Sequence, residues 1–323
     1  MIAQNKQARF RRFGILTIAA VFFLIFIGGL VRSTGSGMGC PDWPKCFGKL
    51  VPPTDVSQLP ADYKTQFAVA GKEIADFNVF KTWTEYVNRL IGVIIGFLIL
   101  FTVIFAVPYL KSENKKIFWL SLLAFFLVGY QGWIGSKVVS SDLAVYMITI
   151  HMLLALVIVA LLIYTITASQ DFTIQQFESY APLKSIIVLT LLISLVQTVS
   201  GTQVREAVDE VAKRIDNRWL WTDELGIIFK AHRSWSLLNL GLSVFIMTRF
   251  RKLLERNSIL YKSSLALVLL MSTQALTGAV LANLGFPAQF QSIHLTLGSL
   301  TAGLQIFIAI LVFTKLKLEK VNV

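Results

Sequence analysis

The sequence predicts an all-α integral membrane protein with eight transmembrane helices, arranged as two pseudosymmetric four-helix bundles in a parallel repeat. Three observations lead there. Apolar runs of about 20 residues, each long enough to cross ~30 Å of hydrocarbon, recur along the whole 323-residue chain. Hydrophobic residues make up 55% of the chain and charged ones only 15%, with mean hydropathy +0.67, whereas soluble domains carry roughly 25% charged residues. The polar residues that interrupt the first four runs return, in the same order, in the last four. Together these exclude a cytosolic globular protein. The net charge of +12 and pI near 9.7 would ordinarily suggest nucleic acid, but membrane topology accounts for them better.

The expected spans are 13–32, 84–108, 117–138, 144–168, 184–203, 226–248, 263–285 and 289–314. Each must be helical, because backbone groups in lipid find no water to bond. The first follows a basic stretch but runs on through about 20 apolar residues without a small-residue cleavage pattern, so it reads as retained and not as a signal peptide. With both termini inside, the inner segments hold 16 of the 30 basic residues but only five acids: Glu113, Asp171, Glu178, Glu255 and Glu319. The two long loops are then extracytoplasmic, and the expected location is the cell's inner (cytoplasmic) membrane.

The repeat divides the chain into residues 1–169 and 170–323. Gly28-Gly29-Leu30-Val31-Arg32 ends span 1, and Gly201-Thr202-Gln203-Val204-Arg205 ends span 5. Asn88-Arg89 opens span 2, and His232-Arg233 opens span 6. Gln131 and Gly135 in span 3 match Gln274 and Gly278 in span 7, while His151 in span 4 matches His294 in span 8. Four helices per unit is an even number, so both units enter from the same side and are related by an axis along the membrane normal.

All three histidines of the chain fall inside spans, where ionisable residues are costly and mark functional sites. The plainer reading of one such histidine is an interhelical hydrogen bond, but the repeat argues for more. His232 and His294 lie at matching depth, roughly 8–10 Å from the outer surface, which suits two imidazoles reaching one flat metal cofactor from opposite faces. A zinc site would want three or four protein ligands, and none is close in sequence. Heme needs only axial ligands, so a bis-His heme is expected in the second half. Arg89, Arg205 and Arg233 at the outer edge are candidate propionate contacts, against simple snorkelling to the interface. In the first half His151 has no histidine partner, since Asn88 stands where the repeat predicts one. That half would hold a heme with one axial position open, as suits substrate chemistry. Glu85, three residues before Asn88 on the same helix face, is a candidate general base or carbocation stabiliser; the alternative is an exposed acid at a helix start.

The only cysteines, Cys40 and Cys46, lie in the first long loop. In an oxidising compartment a structural disulfide is the default reading, with a redox-active pair exchanging with an outside partner as the sharper one. A short surface helix is expected near 65–82, and the second long loop, about 204–225, reads as an amphipathic cap bearing Trp219 and Trp221.

These residues together resemble a known family. The run Gly28 to Gly37, followed by Cys-Pro-Asp-Trp-Pro-x-Cys at 40–46, is similar to the outer-loop signature of heme A synthases, as are Glu85, Arg89, His151, His232-Arg233 and His294. The resemblance covers essentially the whole chain. It implies oxidation of a methyl group of heme O to the formyl group of heme A, through an alcohol, for cytochrome oxidase assembly. It implies that His232 and His294 hold a heme b cofactor, that His151 ligates the first-half heme, and that Glu85 is the catalytic carboxylate. Cys40 and Cys46 match a cysteine pair of one class of the family, which supports the disulfide. The departure is Asn88, where the family pattern has histidine. Implied partners are heme O, a heme O synthase, an unidentified electron acceptor, the bilayer and a second copy of the chain, with no nucleic acid. Two rivals remain from other classes. A non-catalytic electron carrier similar to cytochrome b561 would have paired histidines in both halves. A parallel-repeat transporter would place its polar residues near the midplane.

Overall fold

The computed structural model describes residues 2–170, 172 and 181–315. Among them there is no strand, only the isolated bridges Cys46 with Lys49 and Val69 with Lys72. The long helices are α1 (Gln4–Ser33), α2 (Val79–Ala106), α3 (Lys116–Ser140), α4 (Val145–Ala168), α5 (Ala181–Ala212), α6 (Gly226–Leu253), α7 (Ile259–Asn283) and α8 (Ala288–Ile310). All but α6 are long and apolar enough to cross a membrane, the make-up of a multi-pass membrane protein. α6 matches α2 in length at 28 residues, but it carries Lys230, His232 and Arg233 near its start and Arg251 and Lys252 in its last turn.

Local chemistry sets the helix ends. Asn78 caps α2 by accepting the Lys81 N–H at 3.0 Å, and Ser258 caps α7 by accepting the Tyr261 N–H at 3.2 Å. At the end of α1, Thr34 turns its hydroxyl back onto Leu30 O at 2.7 Å, and Gly35 leaves the helix at φ +65, a region open to glycine. Two helices run further than hydropathy indicates. α1 begins at Gln4, because the basic stretch before the apolar run keeps its helical bonds, and the Arg11 guanidinium there reaches Ser169 O. α5 continues to Ala212, so the first part of the expected cap over 204–225 is one more stretch of helix, followed by the short turns Arg218–Leu220 and Trp221–Glu224. Trp221 is then buried against Val208, Leu281 and Phe286, while Trp219 stays exposed. The expected surface helix near 65–82 reduces to a single turn, Tyr63–Gln66, because α2 starts at Val79 under its Asn78 cap. The charges expected at Asp171, Glu178 and Glu319 lie outside the described residues.

α1, α4, α5 and α8 form a central group in which each touches at least two of the others. α2 and α3 flank it beside α1 and α4, and α6 and α7 flank it beside α5 and α8. Polar clasps close the central group where the long loops attach, an end called here the loop end: Ser33 with Ser292 at 2.9 Å and Thr149 with Thr202 at 2.7 Å.

Below this level the two halves differ in substance. The first half has an apolar core of Val21, Ile95, Ile99, Ile158 and Leu162. At the repeat-equivalent positions the second half places Ser194, Asn239, Ser243, Thr301 and Gln305, all buried. Asn239 Nδ2 donates to Ser194 Oγ at 2.8 Å and Gln305 Nε2 to Asn239 Oδ1 at 3.4 Å, whereas Gln305 Oε1 has no partner.

Candidate functional site

His151, His232 and His294 are each the seventh residue of their helices, α4, α6 and α8. At 1.5 Å per residue all three stand about 9 Å along the helix from the loop end. Each ring lies against a glycine. A Cβ at Gly135 would stand 3.4 Å from His151 Cε1, one at Gly201 3.4 Å from His232 Cε1, and one at Gly278 3.1 Å from His294 Cε1. The glycine of Gln131-x-x-x-Gly135 and its repeat at Gln274 and Gly278 is therefore a seat for an imidazole.

His232 and His294 face each other with ring centroids 6.4 Å apart and planes inclined at 61°. Their Nδ1 atoms are already engaged, His232 with Ser200 Oγ at 2.8 Å and His294 with Thr277 Oγ1 at 3.0 Å and Gln274 O at 3.1 Å. That leaves Nε2 as the nitrogen available to a metal, the arrangement in which outer hydrogen bonds orient an imidazole ligand. Nitrogens about 2 Å either side of one metal would put ring centres roughly 6 Å apart, so this pair fits a bis-His heme. Gln197 fixes the helix behind His232 by donating to its carbonyl at 2.9 Å.

The first half is finished differently. Gln131 donates to His151 O at 2.9 Å, but His151 Nδ1 is buried without a partner, because Ile134 stands at the position equivalent to Thr277. Gln131 Oε1 and Asn88 Oδ1 are also buried and unpartnered, and Asn88 lies against Gly28, where a Cβ would be 4.0 Å away. Three orphaned polar atoms in one half would each cost about 1–3 kcal/mol unless a ligand or water met them. They fit a site finished by what it binds.

Glu85 is 4% exposed and both its oxygens are taken. Oε2 accepts the Cys40 N–H at 2.8 Å, and Oε1 accepts Arg89 Nε at 3.1 Å and also Arg89 Nη2. Arg89 goes on to donate to Cys40 O at 2.7 Å, Asp42 O at 2.6 Å and Lys45 O at 3.0 Å. Cys40 and Cys46 are joined as a disulfide, both fully buried. Thr82 adds a bond to Gly39 O at 2.9 Å, and the approach is so close that a Cβ at Gly39 would meet Lys81 O at 2.4 Å. The disulfide loop is thus bolted to α2 through the carboxylate singled out from the sequence, and Arg89 is spent on loop carbonyls. Arg233 is exposed, its guanidinium 5.8 Å over the Phe229 ring. Arg205 pairs with Asp209 at 2.6 Å, and Arg32 pairs with the same carboxylate. Sequence reasoning missed Asp209, although its place one turn after Arg205 was a readable signal.

Comparison with known proteins bears on the whole arrangement. The heme A synthase of Shouchella clausii is 23% identical over 316 residues, 94% of this chain and 96% of its own length. The heme A synthase of Bradyrhizobium diazoefficiens is 28% identical over 250 residues, 72% of this chain and 66% of its own. That of Pelagibacter ubique is 25% identical over 199 residues, 56% of each chain, so for these last two the match spans less than two thirds of the relative. The family model described as cytochrome oxidase assembly protein (COX15-CtaA) matches residues 11–306, nearly the full helical assembly, and the chain belongs to that family.

Proposed function

We propose that this protein is a membrane oxidoreductase of the heme A synthase type, converting the methyl group of heme O to the formyl group of heme A. The first half binds heme O through His151, near Glu85, and the second half holds heme b between His232 and His294. The observation that carries this reading is the facing histidine pair with both Nδ1 atoms anchored. The names of the three relatives agree with it.

Bound heme b supplies a one-electron redox centre for electrons leaving the substrate. The chain's own part is to orient and to hold charge. Ser200 and Thr277 fix the imidazole directions, and the glycine seats fix their depth. Glu85 presents a buried carboxylate whose negative charge is balanced by Arg89, and it stabilises positive charge developing at the substrate carbon beside it. The methyl group undergoes two successive two-electron oxidations, each taking up one water and releasing two protons, to the alcohol and then to a hydrate that loses water to give the aldehyde. The acceptor is a redox partner in or beside the membrane.

The topology proposed with this function has eight spans, α6 included, in two four-helix bundles, with both termini cytoplasmic and both long loops outside the inner membrane. The packing of α2 and α3 beside α1 and α4, and of α6 and α7 beside α5 and α8, supports the division into two bundles. A heme O synthase and a second copy of the chain are its expected neighbours.

One observation favours a second reading. Asn88 stands where the repeat has His232, and both oxygens of Glu85 are occupied, Oε2 by the Cys40 N–H and Oε1 by Arg89 of the same helix, as would suit a heme-binding electron carrier without hydroxylation. Pigment extraction from membranes expressing the protein with a heme O source decides between them. Heme A that disappears in Glu85→Gln supports the enzyme, and heme b alone under every condition supports the carrier.

A further inference from the structure

Arg32 and Arg205 occupy equivalent places in the two halves. Arg205 sits four residues after Gly201, whose face is covered by His232, so the guanidinium rises from the α5 face one turn nearer the loop end than that imidazole. Arg32 sits four residues after Gly28, whose face is covered by Asn88, the position equivalent to His232. Each half thus has one arginine a turn above the side chain that faces its site. Both guanidiniums turn to a single carboxylate, Asp209, which reaches from α5 to Arg32 of α1 as well as to Arg205 of its own helix. The first half has no such acid of its own, since Ser36 stands at the equivalent position. Asp209 is the one carboxylate paired directly with both guanidiniums, Glu206 adds only a weaker attraction on Arg205, and Arg205 Nε is buried without a partner. The three side chains are only about a quarter exposed, so these charges are poorly served by water.

We propose that Arg32 and Arg205 are the carboxylate-binding groups of two equivalent sites, one per half, and that Asp209 is the internal anion an incoming carboxylate must displace. The inference rests on the heme reading above and deepens it. The ligand class is a flat hydrophobic molecule with pendant carboxylates, gripped by the histidines below and by an arginine fork above. Asp209 serves both forks because it lies between them. The cost of emptying one fork is offset as Asp209 settles fully on the other, which links the two sites through a single side chain.

The test is a heme titration of the full-length protein, made in a heme-deficient host, placed in vesicles and followed by the low-spin absorbance. The probes are heme b and heme b dimethyl ester, whose carboxylates are blocked. Wild type is expected to bind heme b more tightly than the ester. Asp209→Asn is expected to tighten heme b binding about fivefold and to leave the ester unchanged. Arg205→Gln is expected to reduce heme b to the affinity of the ester. Asp209→Ser, which installs the residue type found at position 36, should repeat the Asp209→Asn result and guards against one variant failing to fold. Equal affinity for heme b and ester in wild type overturns the proposal, as does an unchanged or weaker heme b affinity in both Asp209 variants. If wild type gives no low-spin spectrum with either probe, the bis-His heme reading itself has failed, which is a separate and recognisable result.

Discussion

At the scale of single residues, the site depends on small groups placed against rings. Gly278 leaves His294 a gap that a methyl would close to 3.1 Å, whereas Gly201 leaves 3.4 Å beside His232. Gly278→Ala is therefore expected to disturb a low-spin heme spectrum clearly and Gly201→Ala far less. A spectrum of Gly278→Ala identical to wild type would refute this. Ser200→Ala removes the only hydrogen bond at His232 Nδ1 and should weaken heme binding about 10–100-fold, measured by the same titration. Arg89→Lys keeps a charge but loses the planar fork that serves Glu85 and three loop carbonyls. It is expected to lower stability by about 1–3 kcal/mol, read as a reduced thermal midpoint. That His232 and His294 would meet was legible, because the repeat puts two costly ionisable side chains at the same depth in neighbouring spans. Their anchors were not legible. Ser200 and Thr277 are ordinary helix residues in a sequence, and only the packing of α5 on α6 and α7 on α8 brings them to the imidazoles.

At the scale of elements, hydropathy located the segments and misjudged their ends. It measures where lipid is tolerated, whereas helical bonding continues through Asn5 to Arg12 at one end of α1 and through Arg205 to Ala212 at the end of α5. α6 shows the converse, since its polar residues weaken the apolar signal while the repeat with span 2 still identifies it. Those polar residues yield a prediction of their own. Asn239→Ile alone leaves Ser194 and Gln305 buried without a partner, and is expected to cost about 1–3 kcal/mol. The triple change Ser194→Val, Asn239→Ile and Gln305→Leu copies the residues of the first half. It is expected to recover that loss or exceed it, because an apolar core of similar volume replaces a half-satisfied network. Denaturant unfolding in mild detergent compares the two, and a triple variant less stable than the single one would overturn the argument.

At the scale of the whole molecule, the charge separates the two faces. Arg9, Arg11 and Arg12 stand at the end opposite the long loops, with Lys252 and Arg256 on the same side. Cysteines introduced at Leu50 and Trp219, both exposed in the long loops, are expected to react with an impermeant reagent from outside intact cells. A cysteine at Arg256 should react only after lysis, and the reverse pattern would invert the topology. The contrast between the two cores also has a consequence for how the chain enters the membrane. At the level of its apolar core the first half can assemble without a polar partner from later helices. α6 cannot, for Asn239 needs Ser194 on α5, made before it, and Gln305 on α8, made after it. The polar core of the second half is therefore complete only when α5, α6 and α8 are all present, and a chain truncated before α8 is expected to be cleaved first in α6 by limited proteolysis.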